Sequence, residues 1–167
     1  MNNVLETPRC HLTAPEAGDI EQVVRLYTDA RVREFLGGPA DAATIRTQFR
    51  NIIDAGTTKN LWTIRCKADR AFIGGVSLTP HHDGTDTEIS YQLLPEWWGQ
   101  GYAQEALRAV ITYALKDLAL SHIIAETQTA NLASCRLLER VGMRFERHVE
   151  RFGALQSIYT TTNCKQV

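Results

Sequence analysis

The sequence predicts a single α/β (α+β) domain over residues 1–167, with a mixed, twisted sheet of about seven strands and about four helices. The chain is 44% hydrophobic and 22% charged, which is typical of a globular domain with a sizeable core. Apolar residues recur at helical spacing in four segments and in strand-like runs in seven. A strand, a long helix and a strand follow one another between residues 87 and 128, an order that predicts one parallel pair in an otherwise antiparallel sheet.

The N-terminal part predicts one strand and two helices. Residues 9–13 have a strand-like pattern, and Thr13 and Glu16 have the spacing of a capping box that opens a helix. The apolar stripe of that helix comprises Ile20, Val23, Val24 and Tyr27. A second helix is predicted over 41–54, with Gly56 as its end.

The middle of the chain predicts three antiparallel strands, at 61–66, 71–78 and 87–94. The pair Gly74-Gly75 inside the second of these indicates a bulge or a close backbone approach. Asp83-Gly84 is a hairpin signal between the second and third strands.

The C-terminal part predicts two helices and three strands. The first helix follows a glycine turn and carries Ala106, Leu107, Val110, Ile111, Ala114, Leu115 and Leu118 at helical spacing. A strand at 122–128 precedes a short helix, which Asn131 caps and Gly142 ends. Strands at about 143–150 and 155–163 close the chain.

Charge and cysteine content narrow the class of partner. Eighteen Lys and Arg against nineteen Asp and Glu give a net charge of -1, without the basic excess typical of nucleic-acid binders. No apolar run approaches the ~20 residues of a membrane span. Cys10, Cys66, Cys135 and Cys164 form no Cys-x-x-Cys pair, so we expect reduced thiols and a cytoplasmic protein. The sequence does not distinguish a monomer from a homodimer.

The most informative stretch is the turn that contains Gly99 and Gly101, between a predicted strand and a predicted helix. Glycines there let the backbone approach a ligand, and the N–H groups of a helix N-terminus bind phosphate. The alternative is a tight turn that binds nothing. The turn has neither Gly-x-x-x-x-Gly-Lys-Ser/Thr nor Gly-x-Gly-x-x-Gly, so a P-loop or a Rossmann dinucleotide site is not predicted.

Residues 91–107 resemble the acyl-CoA-binding segment of the GNAT superfamily of N-acetyltransferases, most closely the branch that contains ribosomal-protein N-terminal acetyltransferases. Gly101 and Ala103 match the last two fixed positions of the pattern Gln/Arg-x-x-Gly-x-Gly/Ala. Trp98 stands where Gln or Arg is usual.

A second segment, 131–143, resembles the Asn-x-x-Ser helix of that family followed by Gly-Phe, with Met143 in place of Phe. Residues 6–12 resemble the first strand of the branch. The resemblance therefore covers nearly the whole chain, with both motifs in the family's order and spacing.

The resemblance implies acetyl-CoA as co-substrate, without a metal, bound where two parallel strands splay apart. Pantetheine would lie in that gap and hydrogen-bond to the backbone of Leu93, Leu94 and Pro95. The pyrophosphate would lie on the backbone of Gly99, Gln100, Gly101, Tyr102 and Ala103.

Two residues of the second motif have a structural and a functional interpretation. Asn131 is a helix N-cap, and it is also a candidate to bind the cofactor or the acceptor amide. Ser134 is either a surface hydroxyl or, as the resemblance implies, a group near the CoA sulfur that assists the departing thiolate. A thiol with a pKa of ~8.5 needs only modest assistance.

Glu88 is the first candidate for the general base, with Glu126 in reserve. The alternative for Glu88 is an outward-facing or ion-paired residue on an alternating strand. An α-amine has a pKa of ~7.7–8 and a lysine ~10.4, so an N-terminus needs the weaker base. Arg33 and Phe35 are candidates for acceptor binding, because the family places part of its acceptor cleft between the first two helices; a solvated loop is the alternative.

These residues predict direct acetyl transfer to a primary amine in a ternary complex, without a covalent acyl-enzyme. The expected acceptor is the α-amine of a protein or peptide. The alternatives are a polyamine or aminoglycoside acetyltransferase and a non-catalytic acyl-CoA-binding module. His81-His82-Asp83 falls in a predicted hairpin turn without a third ligand at a familiar spacing, so we expect a solvated turn and no metal site.

Overall fold

The computed structural model describes residues 4–162, which form one eight-stranded sheet with four helices. The strands are β1 (Leu5–Glu6), β2 (Cys10–Thr13), β3 (Leu61–Cys66), β4 (Phe72–Pro80), β5 (Thr87–Leu93), β6 (His122–Gln128), β7 (Arg144–Arg151) and β8 (Ala154–Thr162). The helices are α1 (Ile20–Thr28), α2 (Ala42–Asp54), α3 (Tyr102–Lys116) and α4 (Leu132–Arg140). The predicted class is confirmed, with one strand more than expected. The predicted domain, 1–167, extends beyond the described range at both ends.

The strands lie side by side in the order β1-β2-β3-β4-β5-β6-β8-β7. Among the described strands, β5 and β6 form the single parallel pair, and α3 is the crossover between them. The other neighbours pair antiparallel. The predicted mixed sheet is therefore confirmed, with its one parallel junction directly after the glycine turn.

Two hydrophobic cores, one on each face, hold the helices against the sheet. On one face, residues of α3 and α4 such as Leu107 and Leu138 are buried with Ile89 and Ile123 of the sheet. On the other face, buried residues of α1 and α2 pack on Phe72 and Leu94: Ile20, Val23, Val24, Leu26 and Ile45. Each fully buried large aliphatic side chain contributes roughly 1.5–3 kcal/mol of transfer free energy. The two faces of β5 are therefore packed against different pairs of helices.

The N-terminal segment differs from the prediction in two respects. Residues preceding β2 turn back at Thr7, whose Oγ1 accepts a bond of 2.9 Å from the Cys10 N–H, and this adds β1 to the sheet. The predicted capping box at Thr13 and Glu16 is wrong because Thr13 pairs with Thr63 inside the β2–β3 ladder. The box is formed by Glu16 and Asp19, where the Glu16 N–H donates to the Asp19 carboxylate at 2.9 Å.

Other local predictions agree with the structure. Asp41 caps α2 through the Thr44 N–H, and Gly56, with φ of 65°, follows its end. Gly74 marks a close backbone approach, because a Cβ there would lie 2.2 Å from the Gln92 carbonyl oxygen. Cys10, Cys66 and Cys135 are free, while Cys164 lies outside the described residues. Within residues 4–162, no helix has the length and apolar character needed to cross a membrane.

Candidate active site

The glycine turn leads directly into the N-terminus of α3. Gly99 and Gly101 have φ of 70° and 83°, in the left-handed region that other residues adopt only with strain. The first α3 hydrogen bond runs from the Glu105 N–H to the Gly101 carbonyl oxygen at 3.1 Å. The N–H groups of Tyr102, Ala103 and Gln104 precede it and have no acceptor within the helix. The predicted pyrophosphate segment thus presents backbone donors at a positive helix end.

A side-chain clamp that the sequence analysis missed fixes this turn from behind. The Arg9 guanidinium donates to Glu105 Oε2 at 2.8 Å and to the Gln100 carbonyl oxygen at 3.0 Å, and it lies 4.2 Å from the Tyr102 ring centroid. Thr7 Oγ1 donates to Glu105 Oε1 at 2.5 Å. Burial alone would raise the pKa of Glu105, but hydrogen bonds from Thr7 and Arg9 lower it overall, which favours the carboxylate.

Strands β5 and β6 separate at the point where the resemblance places pantetheine. Within the described residues their pairing is confined to Glu88 and Ile124; beyond it, β5 pairs with β4 alone and β6 with β8 alone. The Leu94 N–H donates to the Ile73 carbonyl oxygen at 2.9 Å, which marks a hydrogen-bonded pair of the β4–β5 ladder. Because such pairs alternate along antiparallel strands, the backbone of Leu93 faces the gap instead.

The same alternation directs the backbone N–H of Tyr91 into the gap. The carbonyl groups that follow are already used: the Trp98 indole donates to the Leu93 oxygen at 2.8 Å, and the Trp97 N–H to the Leu94 oxygen at 3.0 Å. The Trp98 N–H donates to Pro95 at 3.1 Å. Trp98, which stands where Gln or Arg is usual, therefore occupies two backbone carbonyl groups at the C-terminal end of β5.

Ser134 meets a tyrosine from the sheet. Its Oγ lies 2.6 Å from the Tyr91 hydroxyl, and the two share a hydrogen bond. The Asn131 side chain accepts from the Ser134 N–H at 3.1 Å, so Asn131 is a helix N-cap. Burial raises the pKa of Tyr91 to about 12, although the Ser134 bond opposes this. Tyr91 therefore remains protonated and neutral across the physiological pH range.

On the opposite face, a cavity of about 120 Å³ separates α1 and α2 from the centre of the sheet. Its lining residues are Pro15, Val23, Leu26, Tyr27, Phe49, Leu61, Trp62, Thr63, Phe72, Gly74, Gly75, Val76, Ser77, Ser90, Tyr91 and Gln92. Gly75, Ser77 and Ser90 are small, which leaves the floor open. The Gln92 Oε1 atom is buried and accepts no hydrogen bond from the described residues. The cavity lining has no charged side chain, and one of its buried acceptors, Gln92 Oε1, lacks a hydrogen-bond partner among the described residues.

Glu88 lies on the same face of β5 as Ser90 and Gln92, because side chains alternate along a strand. Ile124 lies beside Glu88 on β6, so Glu126, two residues further on, also points to this face. The carboxyl of Glu88 is largely withdrawn from solvent, and burial raises its pKa. The charge of His81 lowers this pKa, and the charge of Glu126 raises it.

The prediction of a solvated turn at His81-His82-Asp83 is wrong for His81, which is 2% exposed. Its Nε2 lies 2.6 Å from Glu126 Oε2, a partner 45 positions away that local sequence does not reveal. Ligand-type atoms of His81, His82 and Glu126 lie within 4.8 Å of one another. The Arg151 guanidinium contacts the His82 Nε2 and lies 3.3 Å from Glu126 Oε1. This fixed positive charge opposes binding of a cation.

Arg33 and Phe35 lie in the turn segment between α1 and α2 but not among the residues that line the cavity. Arg33 Nε donates to the Gly38 carbonyl oxygen at 3.1 Å, and its guanidinium lies 5.2 Å from the ring centroid of the cavity residue Tyr27. Arg33 therefore braces the segment and the cavity wall, and acceptor binding by either residue stays a prediction.

Comparisons with known proteins agree with this geometry. Residues 9–144 match the family model of the acetyltransferase (GNAT) domain. The chain is 35% identical over 150 residues to an uncharacterized N-acetyltransferase, YoaA, of Bacillus subtilis, covering 86% of this chain and 84% of that protein.

Two solved structures share the fold. One is an acetyltransferase of Salmonella typhimurium that modifies the N-terminal serine of ribosomal protein L7/L12 (TM-score 0.78, 16% identity, 96% of this chain and 99% of that one). The other is the spermidine N-acetyltransferase of Vibrio cholerae in complex with CoA and spermine (TM-score 0.79, 18% identity, 93% and 96%). With the family model, these matches confirm the resemblance to the GNAT superfamily. The chain belongs to the GNAT family and is an acetyl-CoA-dependent N-acetyltransferase.

Proposed function

We propose that this enzyme acetylates the N-terminal α-amine of a protein or peptide. The observation that carries the proposal is the uncharged lining of the cavity between α1, α2 and the sheet, on the face of β5 that carries Glu88. An N-terminal residue brings one ammonium group on a neutral body. Its amide N–H groups match the buried Gln92 Oε1, and its side chain matches the apolar walls.

Polycationic acceptors fit this lining less well. A polyamine or an aminoglycoside carries several ammonium groups, and each needs a carboxylate when it leaves water. The cavity lining supplies none. The Salmonella enzyme, which modifies an N-terminal serine, and the Vibrio spermidine acetyltransferase both share the fold of this chain. The fold alone therefore does not decide between the two kinds of acceptor.

The proposed reaction begins when Glu88 takes a proton from the acceptor ammonium. The neutral amine then attacks the thioester carbonyl carbon of acetyl-CoA, and a C–N bond replaces the C–S bond. Backbone N–H groups of Tyr91 and Leu93, which face the gap, are placed to stabilise the developing oxyanion. The nitrogen releases its second proton to solvent as the amide forms, the sulfur departs as a thiolate that takes up one proton from solvent, and no acyl-enzyme forms. The proposal needs no metal.

Ser134 is the proposed donor to the departing sulfur, and Tyr91 orients it. The pKa of Tyr91 is about 12, well above the ~8.5 of a thiol, and an aliphatic alcohol such as Ser134 is a weaker acid still, so the serine stabilises the thiolate with a hydrogen bond and neither hydroxyl gives up its proton. Tyr91 therefore acts by donating a hydrogen bond to Ser134 Oγ, which leaves the serine proton directed towards the sulfur. The backbone N–H of Ser134 donates to the Asn131 side chain, which holds the same serine in place.

The test measures thiol release from acetyl-CoA by the pure protein with four acceptors. These are a peptide with a free N-terminus, the same peptide blocked at its N-terminus but carrying a lysine, spermidine and an aminoglycoside. We expect the free N-terminus to have the highest kcat/KM. A preference for spermidine or the aminoglycoside would overturn the proposed acceptor. Calorimetric binding of acetyl-CoA without turnover of any acceptor would support a non-catalytic module instead.

A further inference from the structure

We propose that His81 and Glu126 are positioning residues that fix a negative charge beside Glu88 and thereby set the pH range in which Glu88 accepts a proton. The proposal rests on the proposed function, in which Glu88 is the base. It concerns a cluster that joins three elements of the sheet: the β4–β5 loop, β6 and the β7–β8 hairpin.

His81 and Glu126 form a bridge across β5. They belong to opposite neighbours of that strand, since His81 directly follows β4 and Glu126 lies in β6. Strands two places apart in a sheet are separated by roughly 10 Å. The two side chains span this separation and meet at 2.6 Å, on the face to which Glu88 points. Glu88 therefore lies on the strand beneath the bridge.

Hydrogen bonding fixes the tautomer of His81. In the neutral ring, Nδ1 accepts from the Asp83 N–H at 3.3 Å, and Nε2 carries the proton and donates to Glu126 Oε2. In the protonated ring both nitrogens donate, and the Asp83 carboxylate lies 3.4 Å from Nδ1. On its other side Glu126 has the Arg151 guanidinium, with Nε 3.3 Å from Oε1. The Glu126 carboxyl group is only 6% exposed, and His81 and Arg151 contact its two oxygens from opposite sides. The bridge thus holds a carboxylate in a buried position.

Glu126 also has an unused acceptor. Its Oε1 is buried and accepts no hydrogen bond of good geometry from the described residues, although Arg151 lies nearby. A buried carboxylate oxygen with a free lone pair is suited to accept a hydrogen bond from an O–H of a water or from an N–H of the neutral acceptor amine. This is a second indication that the cluster acts on a ligand and does not serve packing alone.

The effect on Glu88 follows from the charged groups that surround it. Burial raises the pKa of Glu88, and the charge of Glu126 raises it further, while the charges of His81 and His82 and the backbone of Glu126 lower it. Arg151 contributes a positive charge that Asp83 pairs at 2.8 Å. A carboxylate whose pKa is raised towards neutrality is a stronger base for an ammonium group. Glu126 is thus the neighbour whose charge strengthens the base.

The first test is the pH dependence of kcat/KM in Glu126→Gln. The amide keeps the shape and still accepts a bond from His81, but it removes the negative charge. The amide thus removes the neighbouring charge that raises the pKa of Glu88, so this pKa falls, and the acidic limb of the profile moves to lower pH. The matched control is Glu146→Gln, an exposed glutamate of β7 that pairs with Arg147 at 2.7 Å, and its profile should not move.

His81→Gln should shift the profile in the opposite direction. Glutamine still donates to Glu126 but cannot carry a positive charge, so the pKa of Glu88 rises and the acidic limb moves to higher pH. A purely structural bridge predicts that both variants lose stability and rate while the limb stays in place. Because the two shifts have opposite signs, either variant alone keeps the proposal falsifiable if the other fails to fold.

A direct measurement separates this proposal from the proposed function. NMR titration of glutamate side-chain carboxyl carbons, with Glu88→Gln to assign the Glu88 signal, gives its titration midpoint without any acceptor. We expect a lower midpoint in Glu126→Gln and a higher one in His81→Gln. Unchanged midpoints in folded variants would overturn the bridge, whereas a wild type that transfers no acetyl group to any amine would overturn the proposed function.

Discussion

The two sides of β5 are built in different ways. On the α3 side, the groups suited to the cofactor are mostly backbone: the left-handed glycines, the N-terminus of α3 and the strand edge left open by the splay. On the α1 and α2 side, the groups suited to the acceptor are side chains: Gln92 at the cavity, and Glu88 with the His81–Glu126 bridge.

The difference matches what each side has to recognise. The acyl donor is a CoA thioester, and backbone donors at a helix N-terminus suit its phosphates whatever the surrounding side chains are. An acceptor amine must instead be selected and deprotonated, which requires particular side chains with tuned charge. Substitutions on the cofactor side should therefore weaken acetyl-CoA binding, whereas substitutions on the acceptor side should lower kcat and change its pH dependence.

The largest expected effect is on the acceptor side, in Glu88→Gln. Loss of a general base lowers kcat by roughly 10²–10⁴-fold, while calorimetric affinity for acetyl-CoA should be unchanged. In the wild type, the raised pKa of Glu88 predicts an acidic limb above the ~4.3 of an ordinary glutamate, since the base works only when deprotonated. Glu146→Gln serves as the control. Wild-type kcat and pH profile in Glu88→Gln would return Glu88 to a structural role.

On the cofactor side, Gly101→Val should weaken acetyl-CoA binding by about 100-fold. The φ of 83° strains a β-branched residue by roughly 1–3 kcal/mol, and a Cβ would lie 3.3 Å from Arg9 Nη2, so the turn must change shape. Gly56→Val, at a φ of 65° and with no atom near its Cβ, imposes a similar strain away from the turn. Calorimetry on both variants compares them. Equal affinity in the two would refute the assignment of the turn.

The same contrast explains how much the sequence could predict. The glycine turn and the Asn131 cap depend on residues a few positions apart, so short patterns were enough to place them. The His81–Glu126 bridge, the Tyr91–Ser134 bond and the Arg9–Glu105 clamp join residues 45, 43 and 96 positions apart. Their side chains meet only after the sheet has formed, so the histidine-rich turn was predicted to be solvated, and the contacts of Ser134 with Tyr91 and of Arg9 with Glu105 were not predicted.

A smaller effect, about tenfold on kcat, is expected for Tyr91→Phe. The change removes one hydrogen bond to Ser134, worth roughly 0.5–1.5 kcal/mol, and leaves the acidic limb in place because Glu88 is on the other face of β5. Ser134→Ala should cost a similar factor, and the double variant should be less than additive because both act through one hydroxyl. Full additivity, or a shifted acidic limb, would show that Tyr91 does not act through Ser134.

The smallest effect should come from the clamp behind the turn. Arg9→Met keeps the stem that covers Tyr102 but loses the bonds to Glu105 and Gln100. The turn then samples more conformations, so ordering it on binding costs more, and we expect acetyl-CoA affinity to fall by only about two- to fivefold. The matched control is Arg46→Met, whose exposed pair with Glu21 at 2.7 Å lies on α2, away from the turn.

Calorimetric titration of both arginine variants with acetyl-CoA tests whether the α3 side binds the cofactor mainly through its backbone. If the cofactor side is mainly backbone, Arg9→Met lowers affinity slightly and leaves kcat at saturating acetyl-CoA unchanged. A loss as large as that of Gly101→Val would mean that the Arg9 side chain itself binds the cofactor. The backbone description of the α3 side would then have to include a cationic side chain, and the difference from the acceptor side would be one of degree.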